Sequence, residues 1–96
     1  MVVTITASQM DEQTLDAVEA FLSEFLPRMK REPGIVEIVH YAQRDQGKAT
    51  TLVVWESEAH VGQYREGDLI KEARAFEQSM HLMSTRDGPF PVTRLA

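Results

Sequence analysis

The chain has 96 residues, no cysteine, and a formal charge of −5 from 15 acidic and 10 basic side chains. That length predicts one domain, residues 1–96, whose thin stability margin cannot be widened by disulfides or thiolate metal sites and is most simply widened by association with a second copy. Acids and bases are interspersed, the one basic cluster is Arg28-Met29-Lys30-Arg31, and no apolar run approaches the ~20 residues of a membrane span, so neither nucleic acid nor a bilayer is an expected partner.

The opening "MVVTITASQM" lacks the basic segment of a secretory signal. Together with the missing cysteine it makes the cytoplasm the expected compartment. Val2 to Ala7 is short and β-branched, which predicts a first strand. Ser8 to Asp11 offers helix N-cap chemistry. Beyond it Leu15, Val18, Leu22, Phe25 and Met29 recur at steps of three and four, predicting an amphipathic helix to about Lys30. Pro27 lies inside this helix and is expected to kink or loosen its last turns, and Glu32-Pro33-Gly34 ends it.

Ile35 to Ala42, "IVEIVHYA", predicts a second strand, "QRDQGK" a polar turn, and Thr50 to Glu56, "TTLVVWE", a third strand antiparallel to the second. Ser57 is placed to cap a short helix from about Glu58 to Arg65. Gly67 interrupts it, and Asp68 is placed to cap the next helix, whose stripe is Leu69, Ala73, Phe76, Met80 and Met83. "STRDGP" reads as a loop and Phe90 to Leu95 as the last strand. The order β-α-β-β-α-β predicts a ferredoxin-like α+β fold, a four-stranded antiparallel sheet with its helices on one face.

Strict alternation sets Val36, Ile38 and His40 on one face of strand two, and Ile35, Val39 and Tyr41 on the other. Leu52 and Val54 likewise oppose Val53 and Trp55. Both faces are therefore apolar, yet helices cover only one of them. A second subunit is expected on the uncovered face, giving a homodimer.

"REPGIVEI" after the first helix and "LVVWESEAH" leaving the third strand resemble the antibiotic biosynthesis monooxygenase (ABM) domain group of the dimeric α/β-barrel proteins. The resemblance covers nearly the whole chain. It implies two sheets closing into a barrel across a dimer, a pocket between sheet and helices, and activities that include oxygenation of polyketide quinols and anthrones with neither metal nor flavin. In the haem-degrading branch of this group, the pocket tryptophan position falls on Tyr64 and the haem-ligating histidine position on Arg74. The chain also contains no asparagine. Guanidinium offers no lone pair to iron, so haem degradation is not expected. The Ser-Pro-His turn of other members reads Gly67-Asp68-Leu69, without its histidine.

Cofactor-free oxygenation requires an apolar pocket, a base and a donor for a developing phenolate or enolate. By residue type, His40 is the candidate base and Tyr64 a second catalytic candidate. Trp55, Tyr64, Phe25 and Phe76 are the candidate contacts for an apolar or aromatic ligand. Against this stands a satisfied core histidine, an indole that fills the core and a tyrosine that only packs. His60 reads as a solvated helix residue. His81 reads as a surface partner of Glu77 on one helix face, as does Arg74. No histidine pair has metal-binding spacing. Two readings stay open: a small-molecule enzyme of ABM type, and a non-catalytic binding or structural dimer with the same fold. A cavity shared by Tyr64 and either His40 or His60 favours the first, and one filled by Phe21, Phe25 and Phe76 the second.

Overall fold

The computed structural model describes residues 1–96. The elements run β1 (Val2–Gln9), α1 (Glu12–Met29), β2 (Ile35–Gln43), a 3-10 turn (Arg44–Gln46), β3 (Lys48–Trp55), α2 (Glu58–Glu66), α3 (Asp68–Ser79) and β4 (Met83–Pro91). The strands form one antiparallel sheet in the order β2-β3-β1-β4, the ferredoxin-like arrangement, with two helices in the second crossover.

The Asp11 carboxylate accepts the Thr14 N–H at 2.7 Å and so satisfies one of the orphan donors at the start of α1. The stripe then buries Leu15, Val18, Phe25 and Met29 against the sheet. Phe25 and Met29 join Val53 and Trp55 of β3 and Val61 of α2 in one core cluster. Burial of each large aliphatic or aromatic side chain there contributes about 1.5–3 kcal/mol. All three helices lie over the face that presents Val53 and Trp55.

α1 runs through Pro27, which is exposed, and past its end Arg31 and Glu32 donate to carbonyls three residues back, on Arg28 and Met29. Several local expectations are corrected. Strict alternation fails at the start of β2. Ile35 pairs with Trp55 but Glu37 pairs with Val54, so an irregularity at Val36 brings Ile35 to the helix side, where it packs on the core. Asp68 is the first residue of α3, not its cap. That position is Gly67, which offers no side-chain bond.

α3 ends at Ser79. His81 takes a left-handed backbone, φ 53°, and its N–H donates to the Gln78 carbonyl while that of Leu82 donates to Glu77. This is a Schellman stop built on a histidine. It removes Met83 from the helical stripe, and that side chain is 80% exposed at the head of β4. β4 itself starts seven residues before the expected Phe90 and includes the polar "STRDGP" stretch. It is an edge strand paired only with β1, so backbone bonding rather than an apolar pattern holds it. The β1–β4 register shifts between Val3 and Ile5, opposite Gly88. Gly88 adopts φ 93°, and a β-carbon there would overlap the Val3 carbonyl.

Candidate functional site

One row of paired residues crosses all four strands: His40 on β2 faces Thr51 on β3, Thr51 faces Thr6 on β1, and Thr6 faces Arg86 on β4. All four side chains border the space between sheet and helices. At a strand spacing of ~4.8 Å, the Cα atoms of His40 and Arg86 are about 14 Å apart. A polar row under apolar helices is costly unless its members are bonded, and here the His40, Thr51 and Arg86 side chains are.

The His40 Nε2 lies 2.8 Å from a Glu19 carboxylate oxygen, and its Nδ1 lies 2.9 Å from the Thr51 hydroxyl oxygen. A carboxylate only accepts, so Glu19 fixes the imidazole proton on Nε2, and Nδ1 becomes the acceptor of the Thr51 O–H. The His40 side chain is only 12% exposed. Thr51 and His40 meet because β2 and β3 pair in that register, and Glu19 arrives one turn after Leu15 on α1, at the border of the apolar stripe. At the other end of the row, Arg86 makes an ion pair with Glu77 of α3.

Above the row is a cavity of about 170 Å³. Its helix side is aromatic: the Phe21 ring stacks on Phe76 at 4.1 Å between centroids and on Phe25 at 5.1 Å. Trp55 and Tyr64 form one wall, with centroids 5.3 Å apart and planes tilted by 51°. The Trp55 N–H donates to the Thr4 hydroxyl at 3.0 Å, which leaves the indole only its ring to offer. Burial pushes the Tyr64 phenol from 10.0 up to about 12, reinforced by the negative charges of Glu32 and Glu77 against the opposing Arg74 and Arg86. At neutral pH Tyr64 is therefore a hydrogen-bond donor and not a base.

His40, Tyr64, Trp55, Phe25 and Phe76 all border this one cavity. His60 does not. It is half-buried, its Nδ1 lies 2.7 Å from the Ser57 Oγ, and its ring sits on the backbone of Gly34. Gly34 has φ 85°, a β-carbon there would overlap the imidazole, and its carbonyl accepts the Glu56 N–H at 2.7 Å. The Glu-Pro-Gly and Trp-Glu-Ser segments thus clasp each other, which gives the marker motifs a structural role. His81 terminates α3 instead of lining a helix face. The expected pairing of Arg74 with Glu77 is absent: Glu77 holds Arg86, and Arg74 makes no ion pair.

Glu19, Thr51, Thr6 and Arg86 were not legible as site residues. Glu19 offers a faint signal, a carboxylate four residues after Leu15 and three before Leu22. Arg86 lies in the polar "STRDGP" stretch, whose composition points to a loop.

No protein-family model matches the chain, and no curated protein sequence is significantly similar to it. Solved structures are similar in fold. A candidate antibiotic biosynthesis monooxygenase from Deinococcus radiodurans superposes with a TM-score of 0.80 at 11% identity, over 100% of this chain and 99% of that one. SnoaB, a cofactor-independent oxygenase from Streptomyces nogalater solved as a point variant, gives 0.77 at 16% identity over 98% and 94%. A further candidate monooxygenase of this kind, from Nitrosomonas europaea, gives 0.76 at 14% over 90% and 83%.

Proposed function

With the antibiotic biosynthesis monooxygenase fold as the premise, we propose that residues 1–96 form one domain of a small-molecule enzyme that oxygenates a planar hydroxyaromatic or enolisable compound without a cofactor. The observation that carries this reading is the Glu19–His40–Thr51 relay at the edge of an open aromatic cavity. Substrate lies between the phenylalanine rings and the polar row, with Trp55 and Tyr64 at its side. A phenolic or enolic proton moves to Thr51 Oγ as the threonine's own proton moves to His40 Nδ1. Glu19 then stabilises the imidazolium through Nε2–H. Tyr64, protonated, donates to the resulting oxyanion.

The electron-rich anion reduces dioxygen by one electron, and the radical pair combines to form a carbon–oxygen bond. At a ring carbon that carries hydrogen, loss of water from the peroxide gives a carbonyl: an ortho-quinone from a single phenol ring, a ketone from a ring methylene. In either case the substrate supplies four electrons, one oxygen atom enters the product and the other leaves as water. The second reading, a non-catalytic binding or structural dimer, would be favoured by a cavity filled with Phe21, Phe25 and Phe76. The three rings stack along one side of it and leave it open.

The reading includes a homodimer through the second sheet face, where Val39, Tyr41 and Phe90 are each about half exposed (47%, 49% and 48%), and a cytoplasmic setting. No helix is long and apolar enough to cross a membrane. Oxygen uptake with a panel of hydroquinones, naphthols and anthrones tests the activity. Wild type is expected to consume oxygen with at least one of them and His40→Ala to do so about a hundredfold more slowly. Equal rates would remove His40 from the chemistry, and no uptake with any of them would favour the non-catalytic reading.

A further inference from the structure

The two halves of the site repeat each other. The fold contains two β-α-β units, β1-α1-β2 and β3-α3-β4 with α2 inserted. Thr6 and Thr51 occupy corresponding places on β1 and β3, and His40 and Arg86 on β2 and β4. Glu19 and Glu77 do so on α1 and α3, each holding the basic side chain of its unit. The polar row therefore has a basic group at both ends. The mechanism above uses only the His40 end.

At the other end, Arg86 is held by Glu77 and lines the cavity. Arg74, one turn before Glu77 on α3, borders the same end and has no partner of its own. Arg65 also borders the cavity, so its charged lining besides His40 is three arginines against Glu77 and Asp87. Asp87 alternates toward the second sheet face in pairing with Ile5. An unpaired guanidinium beside a held one, on the border of the cavity, is suited to a planar carboxylate, which it grips through two parallel N–H donors.

Size narrows the ligand further. An engineered apolar cavity of about 150 Å³ takes up benzene, so a cavity of about 170 Å³ matches one substituted ring better than three fused ones.

We propose that Arg74 and Arg86 form an anion subsite, and that the ligand is a single-ring hydroxyaromatic acid with its carboxylate there and its hydroxyl at Thr51 and His40. The inference rests on the functional reading above for the position of the hydroxyl, but it commits to a substrate class that the reading leaves open.

Isothermal titration calorimetry with 4-hydroxybenzoate, 4-methylphenol and anthrone tests it on the intact protein. Wild type is expected to prefer 4-hydroxybenzoate over 4-methylphenol by tenfold or more and to bind no anthrone. Arg74→Gln is expected to cut that preference about tenfold and Arg74→Lys to restore part of it. Because Arg74 is exposed, neither change threatens the core, and the wild-type preference needs no variant at all. If 4-methylphenol binds as well as the acid, the anion subsite is overturned while the aromatic cavity and its proposed chemistry stand. Tight binding of anthrone overturns the single-ring assignment alone. If none of the three binds, the subsite and the reading it rests on fall together.

Discussion

His40 could be picked out from its residue type and strand position, but its partners could not. Glu19 is 21 residues away and Thr51 is 11, and both arrive through helix packing and strand register that no local pattern encodes. Tyr64 shows the converse: its place near the cavity was inferred, while its protonation state depends on burial seen only in the fold. Its tyrosinate absorbance should appear only as pH approaches about 12, and Tyr64→Phe should delete that late step. The linked effect on stability has a definite sign. The folded value lies above the unfolded one, so between pH 10 and 12 the folded chain holds a proton the unfolded chain has lost. Tyr64 therefore makes stability fall as pH rises through that window, and a urea series across it in wild type and Tyr64→Phe should show a shallower fall in the variant. Gly34 is the other residue with a specific demand. Both its φ of 85° and the His60 ring against it oppose a side chain, and Gly34→Ala should cost about 2 kcal/mol or more in denaturant unfolding. A loss below ~0.5 kcal/mol would mean that the clasp is not rigid.

Among the elements, α1, β2 and β3 were readable because each carries an apolar pattern that a covered face requires. β4 was not, because an edge strand with mostly exposed side chains needs only backbone partners, and "STRDGP" supplies them without any apolar period. The end of α3 was misjudged for a related reason. The Met80 and Met83 spacing extends the stripe on paper, but the chain reverses at His81 in a conformation that glycine adopts more readily. His81→Gly should accordingly stabilise the protein by up to about 1 kcal/mol, read as a rise in melting temperature. A fall would show that the imidazole makes a compensating contact.

For the whole molecule, the apolar pattern on both faces of β2 and β3 is legible in the sequence; the exposed Val39 and Tyr41 of β2 realise it, and Phe90 of β4 adds to it. Light scattering at micromolar concentration should give twice the mass of a 10.9 kDa chain, and Tyr41→Lys should shift the population to monomer by burying an unpaired charge in the interface. A monomeric wild type would contradict the dimer. What the sequence did not disclose is the cross-sheet row, because it joins four strands from all parts of the chain. One property of that row is decisive: Glu19 holds the His40 proton on Nε2 and leaves Nδ1 as the acceptor facing Thr51. Nitrogen-15 NMR of the histidine side chains, with His40 assigned by His40→Gln, measures this tautomer. Nε2–H is expected in the neutral wild-type imidazole and a mixture of tautomers in Glu19→Ala. A proton on Nδ1 in wild type would contradict it.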